Sequence, residues 1–515
     1  MTGLRLPRVF GVLALIVGAG GLVALLVSGA WRLGRAPAPA GALPAAPLRV
    51  AAALAAPDTR GFARALAPRP FVFPADHGPH PDYRTEWWYY TGNLSASDGR
   101  RFGFQLTFFR TALAPPPPAS PPAPSVPVSA SSLAPPPPVS PRAPSVPDSA
   151  SSPAPPSRPA AAGGRTSAWA ARQVWFAHLA VTDAAGRRFL ACERWERQAL
   201  GLAGARASPF RVWVGPWSAA AAGPEAAGTP PMRLTASSGD AAVDLVLATD
   251  LPPVAQGDRG LSAKSGEAGN ASYYYSLPRL TAAGTLRLGA ERIAVRGAAW
   301  MDREWSTSAL AAGEVGWDWF ALQLDDGWEL MIYRLRRSPG VTVTAAASPA
   351  TPASPVPAAP PAPAAPPAPA AAAGIADPAS LVTLIAPDGR TYRFPLTAMR
   401  FTVTGAWTSP ASHVRYPAGW RLTLPAAGPA AFDLAVQPLI ADQELRLSLR
   451  YWEGAVTARG THGDRPVTAR GYVELTGYGE AAAAPARPAR LAHPVPAPAP
   501  TAPAGTSGAR SQPLH

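Results

Sequence analysis

The chain has 515 residues and a formal net charge of +14, yet its 46 lysines and arginines form no run of five or more basic residues. The charge comes from arginines scattered singly or in pairs such as Arg187-Arg188 and Arg336-Arg337, and Lys264 is the one lysine. That pattern argues against a nucleic-acid partner, and the single cysteine, Cys192, excludes a disulfide framework and a thiolate metal cage.

Arg5 and Arg8 precede an uncharged run from Val9 to Trp31, and Arg32 and Arg35 follow it. The run is long enough to cross a bilayer as a helix, and it also resembles a secretory signal with Ser28-Gly29-Ala30 as the cleavage candidate. Residues 1–35 are therefore read as an N-terminal hydrophobic helix, either a signal peptide or a membrane anchor. The remainder is expected to be exported, to the periplasmic face of an inner membrane or beyond it. Residues 36–64 read as an Ala/Pro tether.

Many of the 66 prolines are concentrated, with Ala and Ser, in three further stretches, an insert at 112–168, a second at 344–378 and a tail at 481–515. In the first, Leu113–Ser132 recurs as Leu133–Ser152 with changes only at Ala119/Val139, Pro122/Arg142 and Val128/Asp148. Such composition buries too little apolar surface to offset ordering entropy, and its proline runs favour polyproline II, so these stretches are predicted to be disordered. About 350 residues remain, enough for two domains of ordinary size.

Between the inserts the pattern is β: aromatic and β-branched runs alternate with Gly/Asp/Pro turns, and no helical period persists. Asp98-Gly99 is expected to join Glu86–Leu94 to Phe102–Arg110, and Ala185-Gly186 to join Val174–Thr182 to Phe189–Trp195. Asp326-Gly327 and Asp388-Gly389 read as two more hairpin turns, since Asp-Gly supplies the positive φ angles a tight turn needs. Gly284-Thr285-Leu286 leading to Val295–Trp300 has an echo in Gly454-Ala455-Val456 leading to Ala469–Glu474, like the closing hairpins of two similar barrels. The predicted fold is all-β, with two antiparallel barrels in tandem over 65–310 and 311–480.

Trp300-Met301-Asp302-Arg303-Glu304-Trp305 carries the most chemistry. Alternation along a strand puts Trp300, Asp302 and Glu304 on one face. Two carboxyls beside tryptophan inside an apolar barrel would be poorly solvated, which favours a neutral acid able to protonate an alkene, with Asp302 as donor. Tyr273, Tyr274, Tyr275, Trp300, Trp317 and Trp319 could stabilise the resulting cation; the alternative is a solvated turn. His77, His80 and Glu86 are candidate zinc ligands, with structural hydrogen bonding as the alternative. His178 and Gln105, polar residues within apolar strands, are candidates for the pocket wall. Phosphate-binding loops, nucleophile elbows and His-Glu-x-x-His helices are absent, and no cofactor is expected.

Glu86–Leu94, Phe104–Phe109, Phe176-Ala177-His178, Trp300–Trp305, Gly316–Leu324, Tyr451–Val456 and Gly471–Tyr478 together resemble the AttH-like family. That family includes the carotenoid 1,2-hydratases (hydroxyneurosporene synthases) and a "predicted secreted hydrolase" branch, which this chain resembles more closely. The resemblance implies two lipocalin-like barrels, export, and association with an ABC transporter. In the hydratase branch an aspartate two residues after an aromatic is the proposed proton donor, which corresponds to Asp302 after Trp300. That branch's upstream aromatic and histidine fall near Tyr273 and Tyr275. Two functions follow: a lipocalin-like protein that binds or hands over an apolar ligand, or an acid-catalysed hydratase or cyclase. A metal-dependent hydrolase built on His77, His80 and Glu86 is a third. If the chain is exported, a reporter active only in the cytoplasm and fused after Pro498 will be silent; bright signal would refute export.

Overall fold

The computed structural model describes residues 59–116, 172–223, 229–307, 310, 313–337, 375–376, 378–425 and 430–479. The Val9–Trp31 run, most of both inserts and the tail lie outside these residues. Among the described residues no helix is long and apolar enough to cross a membrane. The second insert ends sooner than its composition predicts, because Ile375–Ala376 pairs as a short strand with Arg336 and Arg337.

Two antiparallel sheets, of 13 and 11 strands, carry the structure, each curled in the manner of a barrel or half-barrel. In the first, Thr85–Ala96 is the pivot: Arg101–Ala112 pairs on one side and Glu291–Ser306, distant in sequence, on the other. From Arg101–Ala112 the meander continues through Gln173–Asp183 to Arg188–Arg197. On the far side Glu291–Ser306 pairs with Ala271–Leu288 and that in turn with Ala241–Ala248. The second sheet repeats this plan. Glu314–Leu324 takes the pivot, flanked by Glu329–Arg337 and by the late strand Arg465–Leu475, which pairs with Arg450–His462. The hairpins are where the turn chemistry puts them, with Gly99, Gly327 and Gly389 all at positive φ.

The concave face of each sheet is filled by side chains. Trp88, Phe104, Phe108, Trp175, Leu245, Tyr275, Met301 and Trp305 pack inside the first, and Phe320, Leu322, Trp420, Leu434, Trp452 and Val473 inside the second. A third apolar cluster, including Tyr89, Tyr274, Trp300, Trp319, Tyr333, Ala455 and Tyr472, lies between the two sheets. Outer faces that would meet water in a lone barrel therefore meet each other, and Asn93 Nδ2 donates to the Gly471 carbonyl across the seam at 2.8 Å.

At one end of the first interior a charge is buried with its partners. Glu86 is fully buried and accepts from both Arg110 and Arg303, themselves almost wholly enclosed. Arg303 also lies 3.9 Å over the Trp88 ring. Burial alone would raise the Glu86 carboxyl, but the charges of Arg303 and Arg110 outweigh it and hold the group well below the usual carboxylate range. Removing one partner of such a set leaves uncompensated buried charge. Glu86→Ala is therefore expected to cost about 3–5 kcal/mol of unfolding free energy by denaturant titration; a loss below about 1 kcal/mol would mean that water reaches both guanidinium groups.

Candidate functional site

The pocket lies in the seam between the barrels rather than inside either one, which corrects the expectation of a barrel-enclosed cavity. The cores of both barrels are filled by side chains, and this space lies where two curved outer faces meet. The cavity is about 280 Å³. From the first barrel it is lined by Trp87, Tyr89, Phe109, Phe176, Tyr274, Asp302 and Glu304, and from the second by Trp317, Trp319, Tyr333, Tyr451 and Glu474. Lys264 completes the wall, and Leu113 and Trp195, the most exposed lining residues, mark its mouth.

Strand alternation decides who faces the cavity. Trp300, Asp302 and Glu304 share the outer face, while Met301, Arg303 and Trp305 point into the first barrel. The register sets Asp302 between Tyr89 and Ser276, and Glu304 between Trp87 and Tyr274. Tyr274 therefore reaches the pocket, and Tyr273 and Tyr275 do not. Those two belong to the first core, where the Tyr275 hydroxyl meets His77 Nδ1 at 2.6 Å and the Tyr273 hydroxyl donates to the Ala67 carbonyl at 2.9 Å. Both residues were expected in the pocket; in a run of three tyrosines the face is fixed only by pairing with Glu291–Ser306.

The Asp302 carboxyl is gripped by three donors. Tyr274 Oη lies 2.6 Å from Oδ2, and Ser276 Oγ and Trp300 Nε1 each lie 2.6 Å from Oδ1. Trp300 thus orients the acid and backs the wall without lining it. Burial drives the Asp302 pKa up to about 7; the Ser276, Tyr274 and Trp300 hydrogen bonds oppose the rise and the nearby Glu304 charge adds to it. Glu304 is paired instead, with Lys264 Nζ 2.7 Å from Oε1 and Ser272 Oγ donating to the same oxygen.

The second barrel supplies an acid that the sequence reading missed. Glu474 faces the pocket and accepts from Trp317 Nε1 at 3.1 Å. Burial, with a further contribution from the charges of Asp302 and Glu304, pushes it up to about 8 against that hydrogen bond. Trp319, two residues along the same strand, donates from Nε1 to Tyr274 Oη at 3.1 Å, so alternate tryptophans of one strand serve both acids. Behind Glu474, directly across the ladder, stands Glu453, which accepts from Tyr89 Oη at 3.0 Å. Its pKa is well above normal because of burial and the Glu474 charge. The missed signal was present in the faint repeat: Trp300-Met301-Asp302 and Tyr472-Val473-Glu474 are both aromatic–apolar–acid on the last strand of a closing hairpin.

The other candidates sit apart. His178 lies one layer behind the wall, Nδ1 2.7 Å from the Tyr451 hydroxyl, and burial lowers its pKa to about 4 despite Glu193. Gln105 is buried beside it in the ladder, donating to Thr107 Oγ1 at 2.5 Å. The three candidate zinc ligands, His77, His80 and Glu86, are each engaged with other partners. Glu86 is taken by two arginines, His77 by Tyr275, and His80 stacks on Trp305 at 3.7 Å with Nε2 3.0 Å from Asp76 Oδ1. Among the described residues no group of His, Cys, Asp and Glu is arranged to hold a metal ion.

Two curled antiparallel sheets in tandem, with an aromatic, acid-bearing pocket in the seam, define a double-barrel protein of lipocalin type. The AttH-like family model matches residues 64–130, 154–359 and 371–478, and the chain belongs to that family. It is similar to a crystal structure described as AttH from Nitrosomonas europaea, with 28% identity, a TM-score of 0.56, and coverage of 80% of this chain and 100% of that one. It also shares its fold with kievitone hydratase from Nectria haematococca, at 14% identity and a TM-score of 0.50, covering 81% of this chain and 98% of that one. No curated protein matches the sequence.

The raised acids carry a stability signature. Folded Asp302 and Glu474 keep protons that unfolded carboxyls lose near pH 4. Stability from these groups is therefore greatest below that pH and falls as pH rises toward about 7 and about 8. Asp302→Asn should shrink the stability lost between about pH 4 and pH 7 in denaturant titrations. An unchanged pH dependence would show that Asp302 titrates normally in the folded protein.

Proposed function

We propose that the seam pocket binds an apolar molecule and adds water across one of its carbon–carbon double bonds, with Asp302 as proton donor. The observation that carries this reading is a buried carboxyl, raised to about 7, opening onto an aromatic-walled cavity. A hydroxyl that donates to a carboxylate can accept from the carboxylic acid, so Tyr274 and Ser276 can serve both protonation states. The Asp302 proton passes to one alkene carbon, leaving a carboxylate and a carbocation on the neighbouring carbon. Ring faces from Tyr274, Trp317 and Trp319 stabilise that cation. Water adds its oxygen to the cation and gives its proton to a pocket carboxylate, so the net change is the addition of H and OH.

A hydratase on the same fold supports the reading by analogy only, since one fold hosts many chemistries. The proposal includes action outside the cytoplasm, on the strength of Val9–Trp31, and partnership with an ABC transporter, on the family resemblance. The test uses molecules retained by the purified protein, incubated in isotope-labelled water. Asp302→Asn keeps the shape and should retain these molecules while losing label incorporation by about 10²–10⁴-fold. Wild-type protein that retains ligand without incorporating label would be a carrier, and the hydratase reading would fail.

A further inference from the structure

The pocket's lysine takes no part in the chemistry above. Lys264 is the single lysine among 46 lysines and arginines, and it stands in the pocket wall, 2% exposed. At every other basic position the chain carries a planar, forked guanidinium; here it carries a compact ammonium on a flexible stem. Nζ lies 2.7 Å from Glu304 Oε1, 3.4 Å from Ser262 Oγ and 4.0 Å from the Tyr333 ring centroid. An ammonium has three N–H donors, and two of these three neighbours are oxygens. The third donor has only an aromatic face, in a cavity whose other walls are largely aromatic, so a ligand oxygen within reach would be a stronger partner.

Charge decides what kind of oxygen. Glu304 already balances the ammonium, and Asp302 and Glu474 open onto the same space. A ligand carboxylate would add a negative charge among carboxyls that already resist ionisation, whereas a carbonyl or hydroxyl adds none. The cavity of about 280 Å³ is at or below the lower end of the ~300–1,000 Å³ usual for small-molecule sites. It therefore suits a small ligand or one end of a longer one, and an anchor determines which end enters.

We infer that Lys264 anchors a neutral oxygen, a carbonyl or hydroxyl, on an otherwise apolar ligand. It is a positioning residue: by fixing the oxygenated end it sets which double bond meets Asp302, and it makes the substrate an oxygenated molecule rather than a plain hydrocarbon. The inference rests on the seam being a ligand site.

The test measures Kd by tryptophan fluorescence on the full chain with β-ionone, β-ionol, the hydrocarbon of the same skeleton and the corresponding carboxylic acid. The ketone and alcohol should bind about tenfold or more tightly than the hydrocarbon. The double variant Lys264→Met/Glu304→Gln, which removes both charges together, should lose that preference while keeping hydrocarbon affinity. Independently of any variant, labelling with ¹⁵N-lysine places a single side-chain signal in the spectrum, and it should shift with the ketone and not with the hydrocarbon. Equal affinity for ketone and hydrocarbon, an unmoved lysine signal, or tightest binding by the acid would overturn the anchor and leave the seam a ligand site. Failure of all four probes to bind would overturn the ligand site and the anchor with it.

Discussion

Everything at the site depends on certain strands being buried on both faces. An antiparallel strand ordinarily turns one face to a core and the other to water. Along Glu291–Ser306 the inner face packs the first barrel through Met301, Arg303 and Trp305, and the outer face meets the second barrel through Trp300, Asp302 and Glu304. The same holds for Tyr89 against Tyr90 and for Trp319 against Phe320. Carboxyls that a lone barrel would leave solvated are thereby desolvated without being moved from their strand, and their acidity follows from the docking of one barrel on the other.

The two barrels contribute in parallel. Each places an aromatic–apolar–acid triplet on the last strand of its closing hairpin, next to the pivot strand of its own sheet. Asp302 then has three hydrogen-bond donors and Glu474 has Trp317, so the two acids differ in how well their charged forms are supported. Among the described residues lining the pocket Lys264 is the one cation, and it is engaged by Glu304. Unlike the Glu86 carboxylate with its two guanidinium groups, Asp302 and Glu474 are enclosed in aromatic surroundings without a neighbouring positive charge of their own. One buried set is thus held ionised and the other tends to stay neutral, within the same domain pair.

Much of the architecture was legible because β patterning is local. Asp98-Gly99, Asp326-Gly327 and Asp388-Gly389 specify turns by backbone chemistry alone, and alternation correctly grouped Trp300 with Asp302 and Glu304. What could not be read locally was where each face would go. The period of two says that Tyr274 opposes Tyr273 and Tyr275, but only the pairing of Tyr274 with Glu304 says which side the pocket is on. Glu474 needed the packing of one barrel on the other. That Glu86 and His80 would meet Arg110 and Arg303 could not be read locally, because those arginines lie elsewhere in the sequence. Lys264 was visible as a compositional oddity, but its meaning lay in the residues around it.

The seam also bears on how the molecule comes apart. A ligand seated there touches both barrels, so whatever free energy it contributes is also free energy of association between them. Empty, the seam is held by its own contacts, such as Tyr89 with Glu453 and Asn93 with the Gly471 carbonyl. Occupied, it gains a joint that neither barrel possesses alone, and the melting of one becomes costlier without the other. An occupant of the seam would thus make unfolding more cooperative, joining two separate cores into a single thermodynamic unit.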